Sequence, residues 1–373
     1  MKELGLYVHI PFCASKCKYC NFNSYAGCVH LAPDYLRELI TEIVSYSNMA
    51  KSHRVTTIFI GGGTPSIMPS GAIATIIKII KSNYEVVDNA EITIEANPNT
   101  ITFDKAHEWF SCGINRVSVG LQSVNGHTLK VIGRTHTLGD YKNAIATLKQ
   151  VGFENINTDI MLGLPGQKQS HVKSAINLIH KLGCTHVSAY ALILEPDTPL
   201  YALVTGGLIK LPSETKTLNM YNFAYMYLHK LGYDRYEVSN FAYPGYECKH
   251  NLNTWSMVEY LGFGAGAHSY FKNERHSNYD DIQEYIDAKL KVETSEKIDK
   301  QEKLEEYIML GLRKVTGISL DQIKQQFGVD LRVEKAQNIN NLLNFGLIKI
   351  DNNMLRATDY GFTLLNKVIL ELV

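Results

Sequence analysis

The sequence predicts an α/β protein in which six strand–helix units form a partial barrel, followed by a small helical, winged-helix-like domain. Short runs rich in Val, Ile, Tyr and Thr alternate about six times with longer segments over the first 200 residues. The longer segments carry apolar residues at helical spacing. Strands and helices in strict alternation are typical of a parallel sheet with crossover helices.

The six predicted strands are short and are bounded by Gly, Pro or Asn. They cover 4–10, 55–60, 91–95, 115–120, 155–162 and 185–192. Helices are predicted over 33–46, 70–81, 104–111, 140–151 and 170–181, with Asp34 and Asp140 as N-caps. Since ligands of such folds bind at the C-terminal edge of the strands, polar residues at strand ends are the best site candidates.

Three regions are predicted along the chain. Residues 1–200 form the core barrel, and 201–292 form an extension with strands at 235–241 and 260–263 and a helix at 280–291. Residues 293–373 begin with a charged linker, 293–303, and form the C-terminal domain. Its predicted order is three helices, a β-wing and a final helix, at 304–314, 319–327, 332–345, 347–356 and 359–372.

The charge balance argues against a broad electrostatic footprint for nucleic acid and leaves only a local basic patch open. Lys plus Arg and Asp plus Glu both number 37, so the formal net charge is zero. A DNA-binding regulator acting through the winged-helix-like domain is therefore disfavoured, and no nucleic-acid partner is expected. No apolar run approaches the ~20 residues of a membrane span. The N-terminus lacks the apolar region of a signal peptide, which predicts a cytoplasmic location, with peripheral membrane association left open.

The cysteines provide the most specific signal. Cys13, Cys17 and Cys20 follow the first predicted strand with the spacing C-x3-C-x2-C. Three thiolates on such a loop can hold three corners of an iron–sulfur cube and leave the fourth iron open. Zinc is the alternative, because Cys28, His9 or His30 could complete a set of four ligands. Structural zinc sites usually supply two separated cysteine pairs, however, and the chain has no second pair.

Further polar or glycine-rich positions lie at the ends of the later strands. Gly61-Gly62-Gly63-Thr64-Pro65 ends the second strand and can bring the backbone close to a ligand. Single polar residues follow or end the next strands, and together they predict a site at one edge of the barrel. They are Glu95, Gln122, Arg134 and Asp159.

The cysteine spacing, with Tyr19 before the third cysteine, resembles the radical S-adenosylmethionine enzymes. The resemblance implies a [4Fe–4S] cluster at Cys13, Cys17 and Cys20, and a partial (β/α)6 barrel. In that family S-adenosylmethionine chelates the open iron and is cleaved to a 5′-deoxyadenosyl radical. The positions that look like cofactor contacts are Tyr7, Tyr19, Gly62, Gly63, Thr64, Glu95, Gln122, Arg134, Asp159 and Ala191.

The chain also carries the motifs Tyr7-Val-His-Ile-Pro-Phe-Cys13, Gly61-Gly62-Gly63-Thr64-Pro65, Gly120-Leu-Gln122-Ser123 and Asp159-Ile-Met-Leu-Gly-Leu-Pro165. This combination resembles the coproporphyrinogen oxidase-like branch of that family, and most of all its HemW-type haem chaperones. The oxidases carry a further cysteine where this chain has Phe22, and they have an N-terminal extension. The chaperones carry a His-Asn-x-x-Tyr-Trp motif, which corresponds here to His250-Asn251-Leu-Asn-Thr254-Trp255. The resemblance implies haem binding at His250, although Thr254 replaces the tyrosine. His268 and Cys248 are weaker ligand candidates.

The function implied is a haem chaperone that holds a cluster and S-adenosylmethionine and delivers haem as cargo. Its implied partners are haem-accepting proteins such as membrane respiratory enzymes, an electron donor, and a second copy in a homodimer. The alternative is an oxygen-independent coproporphyrinogen III oxidase, which decarboxylates porphyrinogen propionates by radical chemistry.

Overall fold

The computed structural model describes all residues from Met1 to Val373. Six parallel strands lie side by side in chain order at the centre of a 12-stranded sheet. The predicted barrel of six strand–helix units is therefore confirmed. The strands are β1 (Lys2–Ile10), β2 (His53–Gly62), β3 (Val86–Ala96), β4 (Arg116–Gln122), β5 (Asn155–Leu162) and β6 (His186–Ala191).

Each strand is followed by a helix that covers the outer face of the sheet. Alternation along β1 shows why: Leu4, Leu6, Val8 and Ile10 are fully buried in the main core of 55 residues, whereas the residues between them face inward. The barrel interior consequently receives the polar side chains. The helices are α1 (Ala32–Tyr46), α2 (Ala72–Asn83), α3 (Phe103–Cys112), α4 (Leu138–Val151), α5 (Gln169–Lys181) and α6 (Glu214–Lys230).

Both N-cap predictions were wrong. Helix α1 begins at Ala32, and Asp34 lies within its first turn, paired with Arg37 at 2.6 Å. In α4 the N-cap is Thr137, whose hydroxyl accepts from the amide of Asp140 while the Asp140 carboxylate accepts from the Thr137 amide at 2.7 Å. Asp140 is therefore the third residue of a capping box.

Antiparallel strands extend the sheet beyond both edges of the barrel. Tyr260–Phe263 pairs parallel with β1 and leads into three antiparallel strands, while two short strands continue the sheet beyond β6. The stretch predicted as a linker contains the outermost strand, whose four residues are all exposed. These strands are His268–Phe271, Glu274–Ser277, Thr294–Lys297, Asn240–Ala242 and Asp234–Arg235.

Short elements occupy the connections. Phe12–Cys13 pairs with Tyr25–Ala26 as a two-stranded sheet, so the cysteine loop is fixed at both ends. The remaining short helices are Val29–Leu31, Ser47–Ala50, Pro65–Ile67, Pro98–Thr100, Gly126–Val131, Pro199–Thr205, Lys249–Trp255 and Ile282–Ala288.

The C-terminal domain has its own core of 19 buried residues. Helices surround a three-stranded antiparallel sheet, in the order predicted for a winged-helix-like domain. Two of the predicted helices are interrupted, at Lys335 and at Leu364. The elements are Lys300–Gly311, Ile318–Ser319, Leu320–Phe327, Leu331–Glu334, Ala336–Asn344, Ile348–Asp351, Met354–Ala357, Asp359–Thr363 and Leu365–Leu372. None of the helices in the structure has the length and apolar character that crossing a membrane requires.

Candidate active site

The three cysteines of the loop after β1 line one cavity at the C-terminal edge of the barrel. Cys13 is buried at the end of its short strand, and its Sγ lies 3.4 Å from the Thr64 Oγ1. Cys17 and Cys20 share a turn in which the Cys20 amide donates to the Cys17 carbonyl at 3.1 Å. All three thiols are free of disulfides. The loop therefore presents three sulfur ligands to the same space.

The surroundings of these thiols fit an anionic cluster. Burial raises the pKa of the Cys13 thiol, and the neighbouring Cys20 and Cys17 add to the rise. Such a group of thiols is stabilised as thiolates by binding a metal centre. The guanidinium of Arg134 supplies a positive charge, since its Nη1 lies 3.7 Å from the Cys17 Sγ. No three His, Cys, Asp or Glu side chains in the structure converge closely enough to hold one metal ion, whereas a cube takes each thiolate at a different iron.

The glycine run at the end of β2 passes directly beside the cysteine loop. A Cβ at Gly63 would lie 2.8 Å from the Phe12 carbonyl oxygen and 3.0 Å from the Cys13 Sγ. Gly62 has a φ of 114°, and its amide donates to the Glu95 Oε2 at 3.2 Å. A Cβ at Gly61 would lie 2.8 Å from the Glu95 Oε2, and one at Gly62 would lie 2.7 Å from the His9 ring, so packing at this edge requires all three glycines.

Two carboxylates face the cavity from β3 and β5. Burial, together with the nearby charge of Asp159, raises the pKa of Glu95 to about 7. Burial also raises the pKa of Asp159. The Asp159 carboxylate accepts from the Asn157 Nδ2 at 2.7 Å and from the Ser118 hydroxyl at 3.3 Å. These acceptors are suited to the hydroxyl and ammonium donors of a polar ligand.

Arg134 is anchored by residues that the sequence analysis missed. Its Nη2 donates to the Asn97 Oδ1 at 2.6 Å and to the Gly120 carbonyl at 2.8 Å. Its Nε donates to the His136 Nδ1 at 3.3 Å, and the His136 Nε2 lies 3.2 Å from the Leu121 carbonyl. Burial, followed by the charge of Arg134, lowers the pKa of His136 to about 4, so its ring stays neutral and can accept. The position of Asn97 just after a strand end was the available signal.

The backbone is strained at Gln122, at the end of β4. Its φ is 61°, which is rare outside glycine, and the register with β5 shifts between Gly120 and Gln122. The shift turns the Gln122 amide into the barrel, where the Tyr190 hydroxyl donates to its Oε1 at 3.2 Å. Strain of this kind is typical of functional sites.

The cavity enclosed by these groups has a volume of about 440 Å³. All three cysteines and nine of the ten predicted cofactor positions line it. Tyr7 does not: its hydroxyl donates to the His9 Nδ1 at 2.9 Å and its ring stacks on Phe59. The nine are Tyr19, Gly62, Gly63, Thr64, Glu95, Gln122, Arg134, Asp159 and Ala191.

His250 lies at the other end of the barrel interior, on the helix Lys249–Trp255. Its Nδ1 is 2.9 Å from the Thr57 Oγ1, and its ring packs on Phe59. Thr57 precedes Gly62 on β2 by five residues, which is roughly 16 Å along the strand, and His250 does not line the cavity. Only 9% of the residue is exposed, and burial lowers the pKa of its imidazole to about 4.

The other two candidate ligands near the motif differ in environment. Cys248 is fully buried, and its Sγ lies 3.4 Å from the Glu91 Oε1. His268 is exposed at the start of the strand His268–Phe271. Neither side chain lines the cavity of the cysteines.

Comparisons with known proteins agree with this geometry. Residues 7–179 match the radical SAM superfamily, and residues 298–364 match the HemN C-terminal domain. The chain is 36% identical over 369 residues to the heme chaperone HemW of Lactococcus lactis, covering 98% of this chain and 96% of that protein. It is 34% identical to the heme chaperone HemW of Bacillus subtilis, covering 97% of each.

A solved structure shows the same fold. The radical SAM enzyme coproporphyrinogen III oxidase (HemN) from Escherichia coli superposes with a TM-score of 0.87, at 22% identity, over 100% of this chain and 90% of that one. Likeness at that identity concerns the fold alone. The near full-length sequence likeness decides the family: the chain belongs to the radical SAM superfamily and, within it, to the family of the HemW heme chaperones.

Proposed function

We propose that the chain is a haem chaperone that carries a [4Fe–4S] cluster on Cys13, Cys17 and Cys20 and binds S-adenosylmethionine in the adjoining cavity. It would hold haem near His250 and pass it to haem-requiring proteins. The main support is that three free thiols and nine of the predicted cofactor contacts line the same cavity. The chain is also similar to a HemW protein along nearly its whole length.

The residues of the cavity have separate tasks in this proposal. Arg134 places a positive charge beside Cys17 and so balances the charge of the cluster. The glycines of β2 leave room for the cofactor, and Glu95 and Asp159 accept hydrogen bonds from its polar groups. A reduced cluster with bound S-adenosylmethionine supplies one-electron chemistry, which requires an external electron donor.

The haem site is proposed at the motif helix, the segment Lys249–Trp255 that carries His250. A neutral imidazole is the usual proximal ligand of haem iron. In the position seen here, burial lowers the pKa of His250 to about 4, so the docked imidazole is neutral at physiological pH. Thr254 lies within this helix, and its hydroxyl donates to the His250 carbonyl at 3.1 Å. The hydroxyl is therefore used within the helix, and the position provides no phenol.

The proposed partners are haem-accepting proteins, including membrane respiratory enzymes, and a second copy of the chain in a cluster-dependent homodimer. We propose a cytoplasmic location, with the acceptors reached by peripheral association at the membrane.

The alternative activity, decarboxylation of coproporphyrinogen III, is disfavoured by one position. Phe22, where the oxidases carry a cysteine, lies at the cavity with 66% of its surface exposed. The side chain offers an apolar surface at the mouth of the cavity and no thiol.

The test combines ligand binding with a product assay. Protein reconstituted anaerobically should show the brown cluster chromophore, and this should be lost in Cys13→Ala, Cys17→Ala and Cys20→Ala but kept in Cys28→Ala. Haem titration should give a Soret band that is weakened or shifted in His250→Ala. Reduced protein with S-adenosylmethionine and coproporphyrinogen III should give no decarboxylated porphyrin by mass spectrometry. Protoporphyrinogen in that assay would replace the chaperone proposal by the oxidase.

A further inference from the structure

A continuous chain of hydrogen bonds runs along the barrel interior from the cavity to the motif helix. The Asp159 Oδ1 accepts from the Asn157 Nδ2 at 2.7 Å, and the Asn157 Oδ1 lies 2.6 Å from the His186 Nδ1. The His186 Nε2 lies 2.8 Å from the Tyr236 hydroxyl, which accepts from the Cys248 amide at 3.2 Å. Cys248 is the N-cap residue of the motif helix.

The donor and acceptor roles in this chain are fixed by its ends. Because the Tyr236 oxygen accepts from an amide, its O–H is free to donate to the His186 Nε2. His186 must then carry its proton on Nδ1 and donate to the Asn157 Oδ1, which leaves the Asn157 Nδ2 to donate to Asp159. Burial keeps His186 neutral by lowering its pKa, so that this single arrangement persists. All four donors point toward the cavity.

The motif helix has to leave its present position before haem can reach His250. The imidazole is buried between Thr57 and Phe59, and no face of the ring is open to a porphyrin. Two further contacts hold the helix: Glu91 accepts from the Lys249 and His250 amides, each at 3.0 Å. The docked helix with an intact hydrogen-bond chain and the released helix with a broken one are therefore two distinct states.

The released state would also alter Asp159. When the Cys248 amide moves away, the Tyr236 oxygen no longer accepts a hydrogen bond from it. The series of hydrogen bonds that ends at the Asp159 carboxylate then loses its first member. Arg116 is buried and close to Glu91, Cys248 and Asp159. Release of the helix would move Cys248 away and so change the electrostatic environment of Arg116 as well. A cofactor that contacts Asp159 is thus expected to prefer the docked state.

We infer that the two proposed sites are antagonistically coupled through this chain, with His186 and Tyr236 as positioning residues. S-adenosylmethionine at Asp159 favours the docked helix and weakens haem binding at His250, and haem weakens S-adenosylmethionine binding by the same factor. Cofactor binding would then promote the release of haem to its acceptor. The inference rests on the proposed function, because it requires both ligands at these positions.

The test measures haem affinity by Soret titration of reconstituted protein with and without saturating S-adenosylmethionine. The wild type should bind haem about fivefold or more weakly with the cofactor present, within the usual range of coupling energies. Tyr236→Phe removes the hydroxyl that joins His186 to Cys248 and should bring this factor close to one. Tyr141→Phe is the matched control, because its buried hydroxyl contacts Thr158 and takes no part in the chain of hydrogen bonds. This variant should show the same loss of haem affinity on adding S-adenosylmethionine as the wild type.

Two further readouts keep the inference testable if Tyr236→Phe folds poorly. In the wild type, saturating haem should lower the affinity for S-adenosylmethionine by the same factor by which saturating S-adenosylmethionine lowers the affinity for haem. Amide hydrogen exchange of residues 249–255, measured without ligands, should be faster in Tyr236→Phe or His186→Gln than in Tyr141→Phe.

The outcomes separate the inference from the proposed function. If both ligands bind and His250→Ala impairs haem binding, but the wild-type factor is one, the coupling is refuted while the chaperone proposal stands. If S-adenosylmethionine weakens haem binding equally in Tyr236→Phe and in the wild type, the hydrogen-bond chain does not transmit the coupling. If haem binding is unaffected by His250→Ala, the proposed haem site itself is wrong.

Discussion

Arg134 is the residue on which the geometry of the cavity most depends. Its three nitrogens each have a partner, namely Asn97 and Gly120 for Nη2, Cys17 for Nη1 and His136 for Nε. Because the guanidinium is planar and its donors lie in a fixed fork, each contact orients the others. His136 is therefore expected to act on the cofactor only through Arg134.

Two substitutions of His136 should separate its two hydrogen bonds. His136→Asn keeps an acceptor near the position of Nδ1, whereas His136→Gln keeps only a donor near the position of Nε2. We expect S-adenosylmethionine affinity to fall about tenfold in the glutamine variant, equivalent to about 1.4 kcal/mol, and to change little in the asparagine variant. Equilibrium dialysis of the reconstituted variants measures this, and equal losses in both would contradict the role of the Arg134 contact.

Glu95 should make stability depend on pH even without a cofactor. Burial raises its pKa from 4.5 to about 7, so between these values the folded chain holds a proton that the unfolded chain has lost. The stability contributed by this group is therefore present at pH 4.5 and is lost as the pH rises to 7. Urea midpoints of the cluster-free protein should fall less steeply over this range in Glu95→Gln. Glu154→Gln, at an exposed position, is the control, and a slope unchanged in Glu95→Gln would contradict the prediction.

At the scale of elements, the glycine loop between Tyr260–Phe263 and His268–Phe271 supports the cysteine loop. The Asn23 Nδ2 donates to the Ala265 carbonyl at 3.1 Å, which ties the two loops together. Gly264 has a φ of 101°, and a Cβ there would clash with the Tyr35 hydroxyl and the His9 carbonyl. The loop therefore approaches its neighbours too closely at Gly264 for any side chain at that position.

Gly264→Ala should therefore cost more than a comparable glycine elsewhere. Gly245 is the matched control, because its φ is 89° but a Cβ there would meet no atom within 4 Å. Gly245→Ala should lose only the backbone penalty of about 1–2 kcal/mol. Gly264→Ala should lose at least twice as much free energy of unfolding, measured in urea, and equal losses would show that the loops can move apart without cost.

At the scale of the whole molecule, the main core and the separate core of the C-terminal domain are linked by side chains such as Arg235. Its side chain is only 4% exposed and donates to the Asp359 Oδ1 at 2.6 Å. Its guanidinium lies between the rings of Tyr225 on α6 and Phe362 in the C-terminal domain, at 4.3 and 4.0 Å from their centroids. One residue thus contacts both domains.

Arg235→Ala should uncouple the unfolding of the two domains. The loss of stacking and of a charged hydrogen bond should lower the stability of the C-terminal domain by about 1–3 kcal/mol. Calorimetry should then show an earlier, separate transition for that domain. Arg37→Ala removes an exposed ion pair on α1 and should cost less than about 1 kcal/mol. A single transition shared by Arg235→Ala and the wild type would contradict the prediction.

From the sequence alone, the barrel could be predicted, together with the close spacing of three cysteines and the polar residues at strand ends. These depend on signals between residues near one another in the chain, namely strand and helix periodicity, the spacing of Cys13, Cys17 and Cys20, and the position of Glu95 at the end of a strand. Parallel strands then bring their C-terminal ends together without further information.

Contacts between residues far apart in the sequence follow from the tertiary structure alone. Arg134 reaches Cys17 over 117 positions, and His250 reaches Thr57 over 193, and no local pattern encodes either contact. The same applies to His136, to the exclusion of Tyr7 from the cavity and to the burial of His250. Their roles depend on the curvature of the sheet and on the packing of distant segments, because a side chain's partners are set by the folded backbone and not by its neighbours in sequence.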